Sequence, residues 1–287
     1  MDVKNRGNFF GQTFLESSRT RKIVHQKSAQ LMANKGTRGL TRLFFGKPPD
    51  DQIHRAYGVR VVLFFVLVVI VAAALFLIYQ FTQTLYQLHI AEGERDHWQR
   101  PDDVIDSMKL KDGDTVADVG CGVGYFTLKL APKVAEHGSV LAEDILDKSL
   151  AFLWIRAFLH HQSNIRVIHG DLDDPHLPKG GVDAVLIANS YHEFTKPLAI
   201  LDHTFRALRS QGRLVVLDRG PRSYQGESRE IQMQRYQIAA SIVEDEIRQR
   251  GFEVISRDDR FIDRPASERP GDRPDDHIWW LIVARRP

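Results

Sequence analysis

The chain has 287 residues, 43% apolar and 26% charged, ordinary values for a globular protein and enough length for one full-sized α/β domain with an appendage. The net charge of +2 conceals an asymmetry, since twelve Lys and Arg stand against four Asp and Glu up to Arg60, and 27 against 33 beyond it. One cysteine, Cys121, excludes an intramolecular disulfide and a thiolate metal cluster.

Residues 1–60 read as a basic, largely disordered tail rich in Lys, Arg, Ser, Gln and Asn, with Phe9, Phe10, Phe14, Phe44 and Phe45 scattered through it. This composition suits an anionic lipid surface or a nucleic-acid-binding arm, and the next segment favours the lipid. Val61–Tyr79 is an unbroken apolar run that spans about 28 Å as a helix, the reach of a bilayer's hydrocarbon core. A buried core helix is the alternative, though the run has no wet face. It also starts too far along the chain for a cleaved leader.

Residues 80–96 read as a linker helix, and residues 97–287 as the folded domain. Pro101 marks a helix start, followed by Asp102 and Asp103 and by Val104, Ile105 and Met108 at helical spacing. Beyond it strands and helices alternate, the pattern of a parallel sheet covered on both faces. Strands are expected at Thr115–Val119, Ser139–Asp144, Ile165–His169, Asp183–Ala188 and Arg213–Asp218. Helices are expected at Gly124–Ala135, Asp147–His161, Pro197–Leu208 and Glu227–Arg250. Phe252–Phe261 and His277–Arg286 read as an antiparallel edge pair, because a charged, Pro-rich loop joins them with no helix between.

The chemistry concentrates at the ends of the first four strands. Asp118-x-Gly120-x-Gly122-x-Gly124 runs from a strand into a turn, where glycines permit positive φ and close backbone approach to a ligand. Tyr125 occupies the place of the third glycine in a dinucleotide fingerprint, which points away from NAD or FAD. Cys121 is either a small residue in a crowded turn or a reactive thiol. Asp144 ends the second strand, where a carboxylate accepts hydrogen bonds from a ribose diol; Glu143 is its rival, and alternation sends the two to opposite sides. Gly170-Asp171-Leu172 ends the third strand, with Asp171 placed for an adenine amino group and Leu172 for its ring. The fourth strand runs into Asn189-Ser190-Tyr191-His192-Glu193. His192 reads either as a general base or as a histidine bonded within its loop. His160-His161 do not converge on one point, and no other grouping suggests a metal site.

These motifs, with Leu208–Asp218 and the terminal Trp279–Arg285, resemble a class I S-adenosylmethionine-dependent methyltransferase over about two-thirds of the chain. Ser210-Gln211-Gly212 stands where that family typically has Pro-Gly-Gly. The resemblance implies a Rossmann-like seven-stranded α/β sheet of order 3-2-1-4-5-7-6, strand 7 antiparallel, here preceded by a single transmembrane helix. It implies S-adenosylmethionine as cofactor, held by Asp118, Gly120, Cys121, Gly122, Gly124, Asp144, Ile145, Asp171, Leu172 and Asn189, with Tyr191 and His192 facing the substrate. Many methyl transfers need no strong base, because positioning does most of the work.

The strand end lacks the Asn/Asp-Pro-Pro-Tyr/Phe signature of transfer to an exocyclic amino group, and the domain's acidic balance disfavours a nucleic acid. A small-molecule or lipid-like acceptor is expected, with the membrane engaged through residues 61–79 and the basic tail. Other readings are a membrane-tethered adenosyl-ligand sensor or scaffold without turnover, and an NAD-dependent oxidoreductase. Topology signals conflict. Arg42, Lys47, Arg55 and Arg60 before the run, against Arg95 and Arg100 after it, put the domain outside by the positive-inside rule. A cytosolic cofactor requires the domain to face the cytoplasm, which is the orientation expected here.

Overall fold

A computed structural model describes residues 51–221, 226–263 and 278–287, with side chains from residue 57 onward. The basic tail up to residue 50 and the charged loop at 264–277 lie outside the described residues. Helix α1, Asp51–Gln99, takes in the last ten residues assigned to the tail, the apolar run and the expected linker. Within α1 the stretch from Tyr57 is long and apolar enough to cross a membrane, and Val62, Phe64, Phe65, Leu67, Leu75 and Leu77 expose their side chains. A buried core helix is therefore not what this run forms.

The chain divides into two compact units, residues up to Gln83 and Thr84–Pro287. The second unit thus starts before residue 97 and takes in the end of α1. It continues with α2 (Pro101–Met108), β1 (Thr115–Val119), α3 (Thr127–Leu130), β2 (Ser139–Asp144), α4 (Asp147–Leu159), β3 (Ile165–His169) and β4 (Val182–Ala188). A 3-10 turn at Tyr191–Glu193 leads to α5 (Pro197–Ala207), β5 (Leu208–Gly220), α6 (Arg229–Met233), α7 (Ala240–Gln249), β6 (Glu253–Asp263) and β7 (Ile278–Arg285).

The strands form one sheet in the expected order, β3-β2-β1-β4-β5-β7-β6. β7 runs antiparallel to both β5 and β6, while the other pairs are parallel. Alternation along the central strands supplies two cores. Ala117, Val119, Val185, Ile187 and Val216 meet Ile200 and Leu201 of α5 and Val243 and Ile247 of α7 on one face. Val116, Val140, Leu186 and Val215 meet Val104, Ile105 and Met108 of α2 on the other. The central strands read as nearly continuous apolar runs because both faces are covered.

Three elements depart from their expected bounds. The helix expected at Gly124–Ala135 shrinks to α3, since Pro132 has no N–H to donate to the carbonyl four residues back. Gln162 Nε2 donates to that Leu128 carbonyl instead, at 2.9 Å. The helix expected at Glu227–Arg250 breaks into α6 and α7 around Tyr236, at φ 57°. The Gln232 side chain spans the break, donating to the Glu227 carbonyl at 2.9 Å and accepting from the Ala239 N–H at 2.7 Å. β5 begins at Leu208, which pairs with Val182, rather than at Arg213.

Candidate cofactor site

A cleft of about 390 Å³ opens at the carboxyl ends of β1, β2 and β4, the place where open parallel sheets bind ligands. Its floor is the turn after β1. Gly120, Gly122 and Gly124 all have positive φ, at 72°, 56° and 91°, but their surroundings differ. A Cβ at Gly120 would lie 2.5 Å from Ser190 Cβ and Oγ, and one at Gly124 would lie 2.2 Å from Leu153 Cδ1. One at Gly122 would meet nothing within 4 Å. Gly120 and Gly124 are thus glycines for packing, and Gly122 presents bare backbone to the cleft. Gly124 does not line it.

Carboxylates tie this turn to β2. Asp144 Oδ2 accepts from the Gly122 N–H at 2.8 Å, and its Oδ1 accepts from the Leu146 N–H at 2.8 Å. Glu143 Oε2 accepts from the Gly120 N–H at 3.2 Å. Both acids border the cleft, because the strand ends at its mouth. Each Asp144 oxygen retains acceptor capacity after its backbone bond, so a ribose diol fits its chemistry. Asp118 is buried and accepts from Thr127 Oγ1 at 2.6 Å. Burial raises the Asp118 carboxyl to about 6, opposed by the Thr127 bond. Burial likewise raises Glu143 to about 7, opposed by the Gly120 N–H. Cys121 lines the cleft, and burial pushes its thiol well above the usual range, which matches the reading of a small residue in a crowded turn.

The remaining wall carries Ile145, Leu146, Asp171, Leu172, Ala188 and Asn189. Leu172 is 56% exposed, an apolar surface open to a flat ring. Asp171 Oδ2 lies 3.1 Å from His176 Nε2. Asn189 sits at φ 58°, its N–H donating to the Leu217 carbonyl at 2.7 Å and its Oδ1 buried without a hydrogen-bond partner. The bare Gly122 backbone and the Asn189 Oδ1 without a hydrogen-bond partner both fit a polar ligand.

Tyr191 and His192, expected to face the substrate, do not line the cleft. Both are buried. Tyr191 Oη donates to Glu246 at 2.7 Å, and Arg229 bridges the same carboxylate at 2.8 and 2.9 Å. His192 Nδ1 lies 2.8 Å from Asp218 Oδ1, and the His192 backbone N–H donates to Asp218 Oδ2 at 2.9 Å. His192 Nε2 is buried without a hydrogen-bond partner. Of the two sequence readings, the geometry matches a histidine bonded to hold its loop.

The residue missed in the sequence is Arg95, the only cation among the described residues lining the cleft. It lies on the stretch expected to be a linker. Its guanidinium stacks over Tyr125 at 3.8 Å, and Nε donates to Gln99. Around it Asp96 accepts from Tyr125 Oη at 2.6 Å and from Lys129 at 2.8 Å, while Glu92 pairs with Arg156 at 2.6 Å. Arg156 also donates to the Val123 carbonyl inside the glycine turn, at 2.6 Å. The charges at Glu92, Arg95 and Asp96 gave no signal of this docking, since a helix exposed to solvent carries charges as readily.

The strand order, the antiparallel β7 and a cleft floored by glycine backbone and strand-end carboxylates define the class I methyltransferase architecture. Comparison with known proteins agrees. Residues 116–212 match the methyltransferase domain family model. Demethylmenaquinone methyltransferase of Shouchella clausii is 26% identical over 121 residues, 42% of this chain and 51% of that protein. A ubiquinone/menaquinone biosynthesis C-methyltransferase of Azotobacter vinelandii is 30% identical over 115 residues, 40% of this chain and 46% of that protein. The chain therefore spans about half the length of the curated relatives it matches. In fold it is similar to a crystal structure of an Aquifex aeolicus S-adenosylmethionine-dependent methyltransferase, with TM-score 0.55 at 22% identity, covering 67% of this chain and 93% of that one. Residues 116–212 thus carry the methyltransferase domain match, within a sheet that has the fold of S-adenosylmethionine-dependent methyltransferases.

Proposed function

We propose that this protein is a membrane-anchored methyltransferase that transfers a methyl group from S-adenosylmethionine to a hydrophobic small molecule dissolved in the bilayer. The observation that carries the cofactor reading is the charge of the cleft: Asp144, Asp171 and Glu193, with the more buried Asp118 and Glu143 behind them, line it together with a single guanidinium. That balance suits a ligand bearing a sulfonium, an ammonium and one carboxylate. It opposes a pyrophosphate, and the four-residue α3 offers no long helix whose N-terminus could hold one. An NAD-dependent oxidoreductase is disfavoured on both grounds.

In this reading Gly120–Gly122 backbone and Arg95 hold the amino-acid end of the cofactor, with the guanidinium on its carboxylate. Asp144 takes the ribose diol, Asp171 and Leu172 the adenine, and Asn189 Oδ1 a remaining polar hydrogen. When bound, S-adenosylmethionine supplies an electrophilic methyl on its sulfonium. The protein's part is to present the acceptor in line and to exclude water. Tyr191 and His192 support the wall from behind.

For the acceptor, the relatives named for demethylmenaquinone and ubiquinone/menaquinone methylation favour a quinone-like compound, and the exposed apolar helix supports a source in the membrane. The domain faces the cytosol, where the cofactor is made. Full-length protein in detergent is expected to bind S-adenosylmethionine in calorimetry, and Asp144→Ala to weaken that binding about 10- to 100-fold through the loss of its charge-assisted hydrogen bonds. Unchanged affinity in the variant would reject the site. Methyl-labelled cofactor supplied to membranes should place label in the quinone-containing lipid extract, while binding without any labelled product would favour the sensor reading. Protection of the domain from added protease in sealed right-side-out vesicles, with digestion after permeabilisation, is the result expected for a cytosolic orientation.

A further inference from the structure

We infer that the outer face of α4 is a second, interfacial contact with the bilayer. This helix packs Leu150, Leu153 and Ala157 inward, and its opposite face would be polar in a domain surrounded by water. Instead it presents Ala151, Trp154 and Phe158 in one stripe, three and four residues apart. Trp154 is 62% exposed and Phe158 71%, with their rings stacked at a centroid distance of 6.4 Å. Leu159, half exposed, extends the stripe toward the end of the helix. Exposed neighbours are Lys148 on the helix and His160 and His161 just past its end, with Asp147 as the acid.

The occupant is argued from chain reach. Leu159 and His160 line a cavity together with Leu85 and His89 of α1. Leu85 follows Tyr79, the end of the apolar run, by six residues, which reach no further than about 21 Å even when fully extended. Trp154 lies another five residues from Leu159 along α4, about 7.5 Å of helix. An aromatic stripe tethered by so short a stretch of chain to an inserted segment is within reach of the headgroup layer, where Trp rings are favoured. The inference rests on the apolar run being inserted, as proposed above.

The test uses full-length protein in phosphatidylcholine vesicles whose acyl chains carry bromine close to the headgroup. Tryptophan emission is expected to be quenched, and Trp154→Phe to remove most of the quenchable component, because Trp279 and Trp280 are buried and Trp98 is partly covered by its packing against Trp279. As a second measurement, a spin label on Phe158→Cys should collide more with dissolved oxygen than with an aqueous nickel chelate; Cys121 is the single native cysteine and is buried. Carbonate washing separates the two readings. Release of the protein by carbonate would overturn both the anchor and this inference. Retention with unquenched Trp154 and a chelate-accessible label would overturn this inference alone. So would a label shielded from both oxygen and chelate together with a dimer that Phe158→Ser dissociates, since that would assign the stripe to a second copy.

Discussion

Two polar clusters lie at the carboxyl ends of the strands, one at β2 and one at β5, and they are built on opposite plans. In the cleft, Asp144 and Glu143 spend their bonds on backbone N–H groups of the glycine turn and keep acceptor capacity on the open side. On β5, Asp218 is fully buried and its carboxylate is spent on the His192 ring and on the backbone N–H groups of His192 and Arg219. The first cluster leaves capacity for a ligand, and the second fixes a loop. A polar residue at a strand end is therefore functional or structural according to which side of the loop it turns to.

The sharpest way to break this comparison lies within the glycine turn. Gly120→Ala places a methyl on Ser190 in a backbone region that L-residues avoid, so it should cost about 3 kcal/mol or more of stability and show as a large drop in thermal unfolding temperature. Gly122→Ala meets open space, so the fold should lose only about 1–2 kcal/mol while cofactor affinity falls by a much larger factor. Equal damage to folding from both substitutions would undo the distinction between packing and ligand-facing glycines.

The sealed cluster gives the next largest effect. His192→Leu leaves Asp218 buried without its ring partner and should destabilise by about 3 kcal/mol, read by urea unfolding. Cofactor affinity of the protein that remains folded should change less than that of Asp144→Ala. If His192 were a base, the same variant would instead show a pH–rate profile stripped of one limb, with little loss of stability.

The smallest expected effect concerns Glu143. Its carboxyl holds a proton up to about 7 in the folded protein, against 4.5 in the unfolded chain. Between these values the native state binds more protons, so this group favours folding fully below pH 4.5, and that contribution disappears as pH rises through 7. Glu143→Gln keeps an acceptor for Gly120 and removes the titration. It should be about 1–2 kcal/mol more stable than the parent at pH 8 and no more stable at pH 4.5, measured by urea unfolding at the two pH values. A variant equally stable at both would show that Glu143 is ionised in the fold.

How much of this was legible depends on whether the signal was local. The glycine turn, the strand-end acids and the order of elements were readable, because a strand's end, a positive-φ turn and an antiparallel edge pair each leave a mark within a few residues. Arg95 was hidden in a segment that reads as a linker, since its place in the cleft comes from a docking partner, Tyr125, 30 residues away. The direction of His192 was equally hidden, because Asp218 lies on the next strand of the sheet. The break between α6 and α7 also escaped, as Ile238 bonds across to β5 and to Trp280 against the local helical preference.

The sequence alone determined the sheet's composition, the apolar run at Val61–Tyr79 and the chemistry at Asp118–Gly124, because periodicity and glycine placement act over neighbouring residues. Tertiary structure alone decided which polar groups face the cleft. That choice depends on which of two loop faces is sealed by a neighbouring strand or helix, and burial by a distant segment leaves no mark in the residues it covers.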